Sequence, residues 1–166
     1  MKLRITVIGS SGKVSSSVEE LAVSIGREVA KAGAILITGG RDGVMEAATR
    51  GAKNAGGLTV GILGERTLEF ANPHLEVGIT TGLGYARNYI NICSGDAIIS
   101  VSGAGGTLSE LGFAIALDKV IVLMEGTGGV TDIITQALPI IGSSNIFTAK
   151  SAEDAIGIIL SYIKAG

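Results

Sequence analysis

A chain of 166 residues with 46% apolar and only 17% charged side chains can bury one two-sided α/β core, and its composition excludes a disordered tail or an exposed coiled coil. Its net charge of −2 offers no basic face to a phosphate backbone, so nucleic acid is not an expected partner. A single cysteine, Cys93, forbids an internal disulfide, no run approaches the ~20 apolar residues of a membrane span, and Met1-Lys2-Leu3-Arg4 leads straight into a β-like run without a signal-peptide core; a reducing, cytoplasmic setting is expected.

Along the chain, short β-branched runs alternate with helix-length amphipathic segments. Residues 3–8 read as the first strand and 17–32 as its helix, 35–38 as the second strand and 44–55 as the helix after it. A third strand over 58–63 precedes a loop with Asn72-Pro73-His74, then a short strand over 76–79 and a helix over 85–93. The remainder reads as a strand over 97–101, a helix over 108–117, a strand over 120–124, a helix over 131–137, a strand over 145–148 and a closing helix over 152–164. This alternation predicts βαβ units: an α/β, Rossmann-like, doubly wound and mainly parallel sheet of about seven strands with helices on both faces, in a single domain over residues 1–166. Ser17-Val18-Glu19-Glu20 and Ser151-Ala152-Glu153-Asp154 carry the hydroxyl and acidic spacing of helix starts.

Eleven of the 26 glycines gather at four places where a strand hands over to a helix. These are Gly9-Ser10-Ser11-Gly12, Gly39-Gly40-Arg41-Asp42-Gly43, Gly103-Ala104-Gly105-Gly106-Thr107 and Gly126-Thr127-Gly128-Gly129. In a parallel sheet all four lie at the carboxyl ends of the strands, where ligands bind. Glycine lets backbone come close to a ligand, and the following helix points free N–H groups at it. One such loop is as readily a tight turn; four along one sheet edge point to a pocket for a phosphorylated ligand. None matches G-x-x-x-x-G-K-[ST], strand one lacks a full G-x-G-x-x-G, and Thr38 stands where an acidic ribose-binding residue would end strand two. ATP hydrolysis and ordinary dinucleotide binding are therefore disfavoured.

Two further residues draw attention. Arg87 and Asn91 lie one helical turn apart with Asn88 beside them, a polar stripe suited to phosphate, while Tyr85, Tyr89, Ile92 and Cys93 are expected to pack inward. Glu110 stands three residues after Thr107, so Thr107-Leu108-Ser109-Glu110 reads as a capping box, yet the glycines before it would also carry Glu110 into the cleft. The lone His74 cannot build a metal cluster or a triad, and no metal site is expected.

Taken together these segments resemble the Lonely-guy (LOG) superfamily, also called possible lysine decarboxylases, and come closest to its molybdenum cofactor carrier protein-like group. Thr38-Gly39-Gly40-Arg41-Asp42-Gly43-Val44-Met45 approximates the pattern G-G-G-x-x-G-[LV]-M, and Ser102-Gly103-Ala104-Gly105-Gly106-Thr107-Leu108-Ser109-Glu110 approximates P-G-G-x-G-T-x-x-E, with Arg87 at the family's spacing before it. Ser102 and Ala104 replace a proline and a glycine, and Asn88 stands where the hydrolases of the superfamily have lysine, whereas the segment from Thr81 to Asn91 looks closer to the carriers. The resemblance implies a carrier-like protein that binds a phosphorylated nucleotide-like or molybdopterin-type ligand and needs no other cofactor. The residues it assigns to the ligand are Gly9, Ser10, Ser11, Gly39, Gly40, Arg41, Arg87, Asn88, Gly103, Gly105, Gly106 and Thr107. The alternative it implies is a phosphoribohydrolase cleaving the N-glycosidic bond of nucleoside 5′-monophosphates, with Glu110 stabilising the ribosyl centre or activating water and Arg87 orienting the phosphate. It also implies a homodimer, for which the helices over 44–55 and 108–117 are the candidate contacts because their small residues permit close approach.

Overall fold

Seven strands, all parallel, lie side by side in the order β4-β3-β2-β1-β5-β6-β7. The computed structural model describes residues 1–165, so Gly166, the last residue of the expected domain, lies outside the described residues. The strands are β1 (Arg4–Gly9), β2 (Ile35–Thr38), β3 (Thr59–Leu63), β4 (Val77–Thr80), β5 (Ala97–Val101), β6 (Val120–Met124) and β7 (Ile146–Ala149). Between them run α1 (Ser16–Lys31), α2 (Val44–Asn54), a 3-10 turn (Gly84–Ala86) that leads into α3 (Arg87–Ser94), α4 (Gly105–Ala116) and α5 (Gly129–Ile141), with α6 (Ala152–Ala165) last. No helix among the described residues is long and apolar enough to cross a membrane.

Alternation along the strands decides which helix covers which face. Ile5 and Val7 of β1 point with Leu36, Ile99, Val122 and Met124 into a core closed by α1, α2 and α6. Ile8, Ile98, Ile121 and Leu123 point the other way, against Ile92 of α3 and Leu111 and Ala114 of α4. The central strands β5 and β6 are buried along their whole length, as strands with helices on both sides must be.

The α1–α2 contact is unusually close. A Cβ at Gly26 would stand 1.9 Å from the Ala48 carbonyl oxygen, and one at Gly51 would stand 2.0 Å from that of Val23. The small residues of α2 are thus occupied by α1, which removes their expected availability for a partner subunit. Helix starts also differ from expectation. Ser15, not Ser17, caps α1, its Oγ accepting from the Val18 N–H at 3.3 Å; at α6 the Ser151 hydroxyl accepts from the Asp154 N–H at 3.1 Å, as its spacing predicts.

The chain winds outward from β1 to β4, then returns to lay β5 on the other side of β1. The loops leaving β1 and β5 therefore diverge to opposite faces, and the crevice between them is the switch point at which parallel sheets take ligands.

Candidate ligand-binding site

The crevice is framed by hydroxyl groups. Gly9 ends β1 so near β5 that a Cβ would meet the Val101 carbonyl oxygen at 2.4 Å. Ser10 Oγ next accepts the Gly103 N–H at 2.8 Å and donates to Ser102 Oγ at 3.1 Å. Ser102 is held at φ +56°, a left-handed conformation uncommon for serine. Its N–H donates to Thr127 Oγ1 at 2.8 Å, and its carbonyl accepts from the Thr131 N–H at 3.1 Å. The Gly126–Gly129 loop, expected to face a ligand, instead braces Ser102, and its Gly126 and Gly128 N–H groups are taken by the Asp132 carboxylate.

Helix α4 starts three residues earlier than expected. Ala104 is its N-cap and provides no side-chain acceptor, and the first backbone bond runs from the Leu108 N–H to the Ala104 carbonyl at 2.9 Å. Gly105, Gly106 and Thr107 are therefore a first turn whose N–H groups have no partner within the helix, at its positive end. Thr107 is inside the helix, so the expected capping box with Glu110 does not form.

Glu110 faces α3 instead. Its Oε1 accepts from Asn91 Nδ2 at 2.8 Å and from Arg87 Nη1 at 3.4 Å. The Glu110 side chain is 8% exposed and that of Arg87 12%. Burial pushes the Glu110 carboxyl above the ordinary carboxylate range, more than Asn91 and Arg87 pull it back. Burial likewise lowers Arg87 from the usual arginine range, against Glu110 and Glu65, which hold it up. Asn88 Nδ2 donates to Ser109 Oγ at 2.7 Å. The polar stripe of α3 is thus its buried side: Asn88 and Asn91 pack inward with Ile92. Tyr85, Tyr89 and Cys93, expected inside, are exposed. The wheel could not show that α4 brings polar partners to meet the stripe.

A cavity of about 520 Å³ opens between these parts. Gly9, Ser10, Ser11, Arg41, Arg87, Asn88, Gly105, Gly106, Thr107 and Glu110 line it, and so do Met45, Tyr85, Ala104 and Ser109. Sequence reasoning passed over Ser109 and Met45 because only the packing of α2, α3 and α4 brings them to one wall. Gly39, Gly40 and Gly103 do not line it. Gly39 leaves room for the guanidinium, since a Cβ there would stand 2.5 Å from both Nη1 and Nη2 of Arg87. The Gly40 N–H is spent on Thr38 Oγ1 at 3.1 Å, and that of Gly103 on Ser10. Arg41 remains half-exposed at the rim, 3.5 Å from Glu65 and over the ring of Phe70. A larger cleft, about 860 Å³, runs along β7 and α6 past Phe147, Ile158 and Tyr162. Its ion pair, Lys150 with Glu125 at 3.8 Å, is exposed on the lysine side, whereas the smaller cavity holds the buried pair of Arg87 and Glu110. Among the described residues no three His, Cys, Asp or Glu side chains group to hold a metal ion.

The model of the SLOG cluster4 family matches residues 2–156. An uncharacterized protein of Archaeoglobus fulgidus is 41% identical over 126 residues, 75% of this chain and 82% of its own. The structure of the molybdenum cofactor binding protein from the phototrophic bacterium Rippkaea orientalis superposes with a TM-score of 0.90 at 35% identity, over 98% of each chain. That of the molybdenum cofactor carrier protein from Chlamydomonas reinhardtii does so with a TM-score of 0.85 at 31% identity, over 98% of this chain and 99% of its own. These likenesses agree with the resemblance drawn from the sequence motifs.

Proposed function

The chain belongs to the SLOG cluster4 family, and we propose that it is a carrier-like protein that binds a phosphorylated nucleotide-like or molybdopterin-type ligand in the switch-point cavity. One observation carries this reading: Gly105, Gly106 and Thr107, whose N–H groups have no partner, line the same cavity as Arg87 and Arg41. A phosphate seated on that turn meets a partial positive charge, directed donors and a guanidinium together. Ser11 and Asn88 border the place from the other sides, and Tyr85, 82% exposed at the rim, offers a flat face to a pterin or a base. The cavity volume lies within the ~300–1,000 Å³ of small-molecule sites. Likeness to proteins named for binding and carrying the molybdenum cofactor supports the same reading. Gly39 and Gly103 serve it indirectly, one by making room for Arg87 and the other by fixing Ser10.

Self-association as a homodimer belongs to the proposal. Among the exposed apolar side chains, Leu108 and Phe113 of α4 and Leu117 just after it gather with Tyr89 of α3, which stands beside Phe113 at a ring separation of 5.3 Å. This face, rather than α2, is the contact we assign.

A second reading has one observation in its favour. Glu110 is a buried carboxylate in a cavity suited to phosphate, and both its donors sit on Oε1, leaving Oε2 without a protein donor. A phosphoribohydrolase would use such a group against an oxocarbenium-like ribosyl centre. Native mass spectrometry of the freshly purified protein, followed by assay of base release from nucleoside 5′-monophosphates, decides between the two. The carrier reading expects a retained phosphorylated ligand, no released base, and loss of the ligand in Arg87→Ala. Base release by the wild type that falls on the order of 10²–10³-fold in Glu110→Gln establishes the hydrolase instead.

A further inference from the structure

The cavity contains a conflict of charge. Glu110 follows the open turn of α4 by about one helical turn, and helical side chains lean toward the helix N-terminus. It is 6% exposed and lines the same cavity as Gly105, Gly106 and Thr107. An anion on that turn therefore meets a carboxylate largely shielded from water, where like charges repel strongly. Glu110 has little freedom to turn away, because Asn91, itself fully buried, holds Oε1 at 2.8 Å.

We propose that Glu110 takes up a proton from solvent as the anion binds, and that Arg87 passes from Glu110 to the anion, so that binding is coupled to protonation. This rests on the reading that the cavity binds an anion. The balance is simple: dianion, carboxylate and one proton become a complex in which the carboxyl is neutral and Arg87 stays charged. Oε2, which has no protein donor, turns from a repelling acceptor into a donor facing the ligand.

The surroundings leave few rivals for that proton. Arg87 of α3 faces Glu110 directly, and beyond it stand Glu65 after β3, Arg41 after β2 and Tyr85 of the 3-10 turn. The loop after β1 brings only Ser10 and Ser11 to the cavity, and α2 only Met45. No histidine among the described residues lines it. Burial has already raised the proton affinity of Glu110 before any ligand arrives.

Titration calorimetry with sulfate, a dianion that takes no proton itself near neutral pH, tests this in two phosphate-free buffers of different ionisation heat. The wild type is expected to take up about 0.5–1 proton per sulfate near pH 7, with affinity falling up to about tenfold per pH unit above that. Glu110→Gln is expected to bind sulfate with the same heat in both buffers and no such pH dependence, while Glu65→Gln keeps the uptake. Sulfate binding to the wild type without proton uptake, or with uptake that survives in Glu110→Gln, overturns the coupling and leaves the anion site standing. No binding of sulfate at all overturns the anion reading itself, and the coupling with it.

Discussion

Replacing Gly39 by alanine tests the niche that holds Arg87. The new Cβ would stand 2.5 Å from both terminal nitrogens of Arg87 and 2.7 Å from Met45 Sδ, where ordinary contacts are about 3.5–4.0 Å. Gly39 is not at positive φ, so the backbone accepts alanine and the cost is purely steric. The guanidinium has to retreat by about an ångström, and its 3.4 Å contact with Glu110 Oε1 is already at the limit of a hydrogen bond. Overpacking of this kind costs about 1–3 kcal/mol, or roughly 2–12 °C in Tm for a chain of this size.

The loss should also depend on pH. Burial raises the folded-state pKa of Glu110, so the stability it permits is full below the ordinary carboxylate range and falls as pH rises through the raised value. With Arg87 displaced, the ionised carboxyl loses its counter-charge, and the decline steepens. Calorimetric melting at pH 5 and pH 8 should therefore show a larger deficit at pH 8. Gly157→Ala is the control: the site is exposed, within α6, with nothing inside 4 Å of its Cβ, and alanine should stabilise by about 0.5–1 kcal/mol. An unchanged or raised Tm for Gly39→Ala would show that Arg87 does not fill the niche, and would refute the reasoning.

Three other expectations concern the frame, the ion pair and the surface. Ser102→Pro should cost at least about 3 kcal/mol by urea unfolding, because proline fixes φ near −65° where the chain needs +56° and removes the N–H given to Thr127; wild-type stability in this variant would mean that the loop adopts another path. Glu110→Gln should raise Tm at pH 8 and change nothing at pH 4, since the buried charge costs more than Arg87 and Asn91 return; a lower Tm at pH 8 would show the pair to be net stabilising. Light scattering at micromolar concentration should give a dimer, and Phe113→Glu should yield monomers, whereas a monomeric wild type removes the assigned contact.

The alternation of β-branched runs and amphipathic segments carried the sheet, because a strand covered on both faces and a helix covered on one leave different periods in the sequence. Glycine at strand ends likewise marked the carboxyl edge; Arg87 stood out by its stripe on one helix face, and Glu110 by the glycines before it and the resemblance. Local pattern misled where two registers were equally well written. Thr107-Leu108-Ser109-Glu110 spells a helix start, yet Gly103, at φ +105° with its carbonyl bound by the Val130 N–H, launches α4 three residues sooner. That bond joins the loop after β5 to the start of α5, and no window along the chain contains both. Tyr85, Tyr89 and Cys93 were expected inside, yet they are exposed: the inward side of α3 is taken by Asn88 and Asn91, because Ser109 and Glu110 of α4 bond them there. Whether a polar side chain faces water or the interior is settled by the partners that folding brings within hydrogen-bond reach, and those come from other elements of the fold.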